Sequence, residues 1–270
     1  MIIMKTVILT LSLVLITLSA IYAQDAPFQK LVWSDEFDKN GKPEETKWGY
    51  DLGDGCPTVC SWGNNEAEYY TNDPKNVRVE DGKLIIEAIK EEKGGKSYTS
   101  SRIVSKGKGD WLYGRIEVKA KLPSGRGTWP AIWMLSTDWS YGSWPASGEI
   151  DIMEHVGVDP GVLHGTIHTE AYNHRKHTQK EGKITMPGLT TEFHVYAINW
   201  TKDQMNFYVD NIMYHSVTRD PKEDFKGWPF DKRFHLIINL AVGGDWGGMK
   251  GVDETIWPKK LEVEYVRVYQ

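Results

Sequence analysis

The sequence predicts an all-β fold in which two antiparallel sheets pack as a sandwich or jelly roll. Three observations predict it. Short apolar or alternating runs, about a dozen of them, recur along the chain with Gly, Pro, Asn and Asp between them. Almost no stretch carries the 3.6-residue periodicity of a long amphipathic helix. No internal repeat, low-complexity tract or linker breaks the pattern, so residues 24–270 read as one domain.

The elements follow in order. Leu31 to Phe37 opens the series. Asn76 to Glu80 and Lys83 to Ala88 flank Asp81-Gly82, a pair that favours a two-residue hairpin. Arg102 to Ser105 comes next, then Trp111 to Leu122, where Ile116, Val118 and Ala120 alternate with charged residues. Pro123 to Gly127 is a turn. Trp129 to Leu135 and Gly148 to His155 are apolar enough for core strands. Val162 to Thr169, Phe193 to Trp200 and Met205 to Val209 follow. Ile212 to Val217, after an Asp210-Asn211 turn, then Phe234 to Leu240 and Leu261 to Tyr269 complete the set.

Residues 1–23 have the form of an export signal. Lys5 is the basic start, Val7 to Leu18 the apolar run, and Ile21-Tyr-Ala23 a small-residue cleavage site. The run is short for a membrane span and no second one follows, so a secreted or periplasmic monomer is expected. The net charge is −5, and loss of Lys5 makes it one unit more negative. Nucleic acid and anionic membranes reward basic patches, so a neutral partner suits this chain better. Its 12 Trp and 13 Tyr supply core volume and also flat faces able to grip sugar rings. Cys56 and Cys60 stand close in sequence, and in an exported chain a local disulfide is expected. So short a loop gains little entropically, and a zinc site would need ligands no other cysteine can supply.

The chemistry concentrates between Trp144 and His155. Glu149 and Asp151 alternate with Ile150 and Ile152, the pattern of a strand with one dry and one polar face. On a regular strand, Glu154 would turn to the opposite face. One extra residue at Met153, a β-bulge, returns it beside the other two. Three carboxylates on one face repel, so their pKa values must be displaced. Acids on a strand are most often its solvated face, but here Ile, Met and Trp flank them and Lys and Arg are missing. A hard-cation site is the other alternative, without further Asp or Asn nearby to complete it.

Glu149-Ile-Asp-Ile-Met-Glu154, preceded by Trp-Pro-Ala-Ser-Gly, resembles the catalytic signature of glycoside hydrolase family 16, above all its laminarinase branch, the endo-1,3-β-glucanases. Trp62-Gly-Asn-Asn-Glu66, Tyr69-Tyr-Thr71, Thr128 to Met134, Asn239 to Gly244 and Tyr265 to Tyr269 are similar to that family too. The resemblance implies a jelly roll whose curved inner sheet forms a substrate cleft, with 24–270 as its catalytic domain. Two carboxylates flanking a glycosidic bond suffice to cleave it. Strand geometry with a bulge sets them within roughly 5–7 Å, which suits retention of configuration. The resemblance makes Glu149 the nucleophile and Glu154 the acid, then base. Asp151 between them would tune both.

Trp144 resembles a cleft tryptophan of the family, and Trp129 and Trp133 are similar candidates; substrate stacking and core packing both stand open for each. Asn65 and Arg102 match positions that bind sugar hydroxyls, against a turn-stabilising Asn and a surface Arg. His164 and His168 share a strand face; His168 is expected near the acids, bonding Asp151 or sugar, with a metal pair as the alternative. His174 and His177 read as solvated loop residues. No cofactor is expected for catalysis. The resemblance does imply a structural calcium held by Glu36 and Gly82, through backbone oxygens, and by Glu264, where the family has Asp.

The extra Met153 separates this chain from mixed-linkage specialists, which show Glu-x-Asp-x-Glu. Relatives acting on agarose or carrageenan share the insertion, and the flanking Trp-Pro-Ala-Ser and Asn239 to Gly244 decide for β-glucan. A non-catalytic glucan-binding protein is the rival from another class, and it loses the glutamates that this chain keeps.

Overall fold

The computed structural model describes residues 28–270, and the expected export signal lies outside them. The strands, in chain order, are β1 (Leu31–Asp35), β2 (Gly49–Tyr50), β3 (Glu68–Tyr70), β4 (Val77–Glu80), β5 (Lys83–Lys93), β6 (Lys96–Ser100), β7 (Arg102–Val104), β8 (Asp110–Trp111) and β9 (Gly114–Lys121). The second half adds β10 (Thr128–Ser136), β11 (Glu149–Glu154), β12 (Val162–His168), β13 (Lys180–Thr185), β14 (His194–Trp200), β15 (Gln204–Val209), β16 (Ile212–Thr218), β17 (Phe234–Val242) and β18 (Lys259–Tyr269). The helical content of the described residues is two short 3₁₀ turns, Cys60–Gly63 and His174–Lys176.

They form two sheets. One runs β16-β15-β14-β9-β18-β5-β6-β3, with β1 beside β18 and β4 beside β5. The other runs β13-β12-β11-β10-β17-β7-β2, with β8 beside β17. Ile132, Met134, Ile150, Leu163, Ile167, Leu236, Ile238 and Leu240 of the second sheet join Ile116, Val118, Ile198, Phe207, Val263 and Val266 of the first in one buried cluster. Period-2 alternation then assigns the remaining residues of β10 to β12 and β17 to the opposite, concave face. Trp129, Trp133, Glu149, Asp151, His164, His168 and Asn239 all fall there.

Most expected strands are present with ends shifted by a residue or two. Both hairpin turns have the expected left-handed pairs, Asp81 and Gly82 at φ 51° and 71°, Asp210 and Asn211 at 48° and 66°. The single strand expected from Trp111 to Leu122 is corrected. Tyr113 at φ 63° and Gly114 at φ 136° break the extended chain. The piece before the break pairs with β17 in one sheet, and the piece after it with β14 and β18 in the other. Four strands escaped the sequence reading: β2, β3, β6 and β13. β13 is polar, Lys-Glu-Gly-Lys-Ile-Thr, because it is the sheet's edge and exposes alternate residues. β3 pairs with β6 in parallel, so no local turn could announce it.

The core fixes the concave face from behind. Ile238 is fully buried at the centre of β17, which pairs with β10 on one side and β7 on the other. Replacing Ile238 by Ala should cost about 2–5 kcal/mol, read as a lower urea midpoint at unchanged m-value.

Candidate active site

β11 carries the acids, and its register shows how. Against β12, Glu149 faces His168, Asp151 faces Thr166, and Glu154 faces His164. Two residues of β11, Ile152 and Met153, thus stand opposite one of β12, Gly165. Against β10 the slip falls between Asp151, opposite Trp133, and Met153, opposite Ile132. This is the expected bulge. Ile150, Ile152 and Met153 are fully buried, and the acids share the other face. Gly148, at φ 84°, starts the strand where a Cβ would meet Pro229 and Phe230 at 2.9 Å.

Burial dominates the electrostatics. It pushes Glu149 up to about 8, helped by the charge of Asp151, while His168 pulls it down. Glu154 is also pushed up to about 8, first by burial and then by Asp151. Asp151, 2% exposed, is raised well above the usual carboxylate range by burial, partly offset by a hydrogen bond with Glu149. Neutralised carboxyls therefore persist at neutral pH, and the three titrate as one coupled group. His168 Nε2 lies 3.2 Å from Asp151 Oδ2 and 3.7 Å from Glu149 Oε1. Trp129 Nε1 donates to Glu154 Oε1 at 3.1 Å. His164 Nδ1 lies 2.6 Å from Glu181 Oε1, which holds that carboxylate below its usual range.

The aromatic candidates surround the acids. Trp133 Nε1 donates to Asn239 Oδ1 at 2.7 Å, Asn239 Nδ2 donates to the Tyr70 hydroxyl at 3.0 Å, and that hydroxyl reaches Glu66 at 3.3 Å. Arg102 is not a surface residue. It is 8% exposed, its guanidinium lies 4.4 Å from the Trp62 ring and 4.8 Å from the Trp133 ring, and Asp51 pairs with it at 3.0 Å. Asn65, left-handed at φ 56° and exposed, donates to Asp245 at 2.8 Å. Trp144 has the Arg175 guanidinium 4.6 Å from its ring and the His174 ring 5.0 Å away. His174, read as solvated, is exposed but also packs 5.2 Å from His168; His177 is an exposed left-handed cap.

Three site residues escaped the sequence reading. Trp246, edge-on to Trp129 at 5.7 Å and His164 at 4.8 Å, stands in a glycine-rich loop that carries no strand signal. Trp62 and Asn239 sit in quoted motifs without a stated role. The one group of His and acid side chains close enough to ligate an ion, among the described residues, is Glu149, Asp151 and His168. At the expected calcium position, Glu36 instead takes two bonds from Arg267, at 2.9 and 2.7 Å, and Glu264 pairs with Lys119 at 2.6 Å. Gly82 is a turn glycine with open space around its Cα. Lys119 thus holds Glu264, the only expected side-chain ligand, while Glu36 and Gly82 would offer backbone oxygens. Cys56 and Cys60 form the expected disulfide.

Residues 63–266 match the family described as glycosyl hydrolases family 16. The chain is 54% identical over 252 residues to a β-glucanase of Rhodothermus marinus, spanning 91% of this chain and 86% of that one. It is 40% identical over 254 residues to a glucan endo-1,3-β-glucosidase of Cryptopygus antarcticus, spanning 88% and 90%. The crystal structure of the laminarinase from Rhodothermus marinus superposes with a TM-score of 0.86 at 53% identity, covering 89% of this chain and 97% of that one.

The raised carboxyls make a stability prediction. A carboxyl whose folded pKa lies above its unfolded value costs stability increasingly as pH rises from about 4.5 to about 8. Glu149→Gln removes that cost. Its melting temperature should exceed that of the unsubstituted chain by several degrees at pH 7.5, at about 2–4 °C per kcal/mol, and match it near pH 4.

Proposed function

The chain belongs to glycosyl hydrolase family 16, and from that premise we propose that it cleaves 1,3-β-glucan internally, with retention of configuration. The observation that carries the reading is the β11 bulge, which sets Glu149, Asp151 and Glu154 on one face beside Trp129 and Trp133, with Asp151 buried and the two glutamates partly open to solvent. That face suits a neutral chain of sugar rings, with aromatic walls and acids at the centre.

The reaction runs in two displacements. Protonated Glu154 donates its proton to the glycosidic oxygen while the Glu149 carboxylate attacks the anomeric carbon. The glycosidic bond breaks, the aglycone leaves as an alcohol, and a glycosyl ester to Glu149 remains. Glu154, now a carboxylate, takes a proton from water, whose oxygen attacks the same carbon and releases Glu149. Burial keeps Glu154 protonated in the resting state, and Trp129 fixes its orientation. Asp151 and His168 sit on the Glu149 side, where the imidazole favours the carboxylate form. No step needs a cofactor. Calcium at Glu36, Gly82 and Glu264 would first have to displace Lys119, and its effect would be on stability alone.

The export-signal pattern of residues 1–23 supports a secreted or periplasmic location, where such a polymer is met. Residues 24–270 serve as the catalytic domain, and one copy suffices, since one chain supplies both sheets and all three acids.

Reducing-end release from laminarin, lichenan and agarose tests the substrate. Laminarin should be cleaved, and Glu149→Ser should lower the rate at least about a thousandfold. Cleavage of agarose alone would move the substrate to galactan, and binding of laminarin without cleavage would reject catalysis. The pH profile tests the roles. Asp151→Asn removes a negative neighbour of Glu154, so the alkaline limb of activity, near 8 in the unsubstituted enzyme, should move to lower pH.

A further inference from the structure

The bulge that places Glu154 leaves one residue without a partner. Ile152 has no register partner in β10, where pairing steps from Asp151 to Met153, and none in β12, where it steps from Asp151 to Glu154. A carbonyl out of register in a buried strand needs a donor. It finds one in the other sheet. The Tyr214 hydroxyl donates to the Ile152 carbonyl at 3.3 Å.

Tyr214 is itself out of register. In the β15–β16 pair, Tyr208 faces Met213 and Phe207 faces His215, so Tyr214 is the extra residue of a second bulge. That bulge turns its ring off the β15 ladder and towards the eight-stranded sheet. Gly165 of β12 clears the path, for a Cβ there would lie 2.4 Å from the Tyr214 hydroxyl and 2.9 Å from Phe207. The next residue, His215, packs in the same way over Gly182 of β13, where a Cβ would come within 2.3 Å of its ring. Two small residues on adjacent strands thus admit two consecutive side chains of β16.

We propose that Tyr214 is a positioning residue for the reaction. By bonding the Ile152 carbonyl, at the one β11 residue out of register with both neighbours, its hydroxyl fixes the segment between Asp151 and Glu154 and so holds the acid in place. Tyr214 touches neither substrate nor the reacting atoms; it acts through the backbone of Ile152. The device also makes the edge strand β16, more than fifty residues downstream, part of the catalytic geometry. The proposal rests on Glu154 being the acid.

Tyr214→Phe keeps the ring and removes only the hydroxyl. On laminarin, its kcat should fall about ten- to hundredfold at unchanged KM, since a small displacement of a reacting group has that effect. The alkaline limb should also shift to lower pH, because a loosened Glu154 feels less of the Asp151 charge. Amide exchange at residues 152–155 should speed up while the β17 core stays protected. Gly165→Ala, which drives the hydroxyl away from the other side, should reproduce the kcat loss, and the double variant should lose little more than either alone. A lower melting temperature with unchanged kcat, pH profile and local exchange would assign Tyr214 to packing only and overturn the proposal. If the unsubstituted enzyme does not cleave laminarin, the substrate assignment fails instead, and exchange at 152–155, which needs no substrate, still decides the role of Tyr214.

Discussion

Three carboxyls crowded on one strand face, Asp151 buried and Glu149 and Glu154 partly so, are the constraint on which the rest of the site depends. Charges of one sign out of water are costly, and the raised pKa values of Glu149, Asp151 and Glu154 record that cost. Among the described residues, no lysine or arginine pairs with these carboxyls to hold all three ionised. The fold gives the acids partners that leave one of them free to keep its proton. Those partners are an imidazole beside Glu149 and Asp151, and an indole N–H on Glu154. Carboxyls in different protonation states can then share a single strand.

Around that centre the polar residues act through rigid aromatic neighbours. Arg102 is clamped between Trp62 and Trp133 and paired with Asp51, so its charge is fixed in direction. Trp133 is tied through Asn239 and Tyr70 to Glu66. Such a wall cannot rearrange one ring at a time, which is what a cleft gripping a stiff polymer needs. Trp144 differs. Arg175 and His174, both from the short turn His174–Lys176, crowd its ring.

Much of this was legible in the sequence, and the reasons are local. Alternation from Gly148 to Ile152 gave the strand and its faces, and the position of Glu154 called for the extra residue that the register contains. The Asp-Gly and Asp-Asn pairs gave hairpins because only certain residues tolerate left-handed φ. The resemblance to the family rested on side chains that recur at fixed spacing; those of β10, β11 and β17 converge on one face, while Tyr265 to Tyr269 lies in the other sheet. The break at Tyr113-Gly114 was not legible, since apolar alternation continues across it while the backbone changes sheets.

By itself, then, the sequence determined the all-β class and the bulged strand that carries the three acids, because period-2 patterning and turn chemistry act between near neighbours. Only the tertiary structure decided that Arg102 is buried between two rings, that Glu264 belongs to Lys119, that Trp246 closes over His164, and that Tyr214 reaches the bulge. Each of these joins residues far apart in the chain or across sheets, and no local periodicity encodes which strand will lie opposite which. Close packing settles that choice once both sheets fold together.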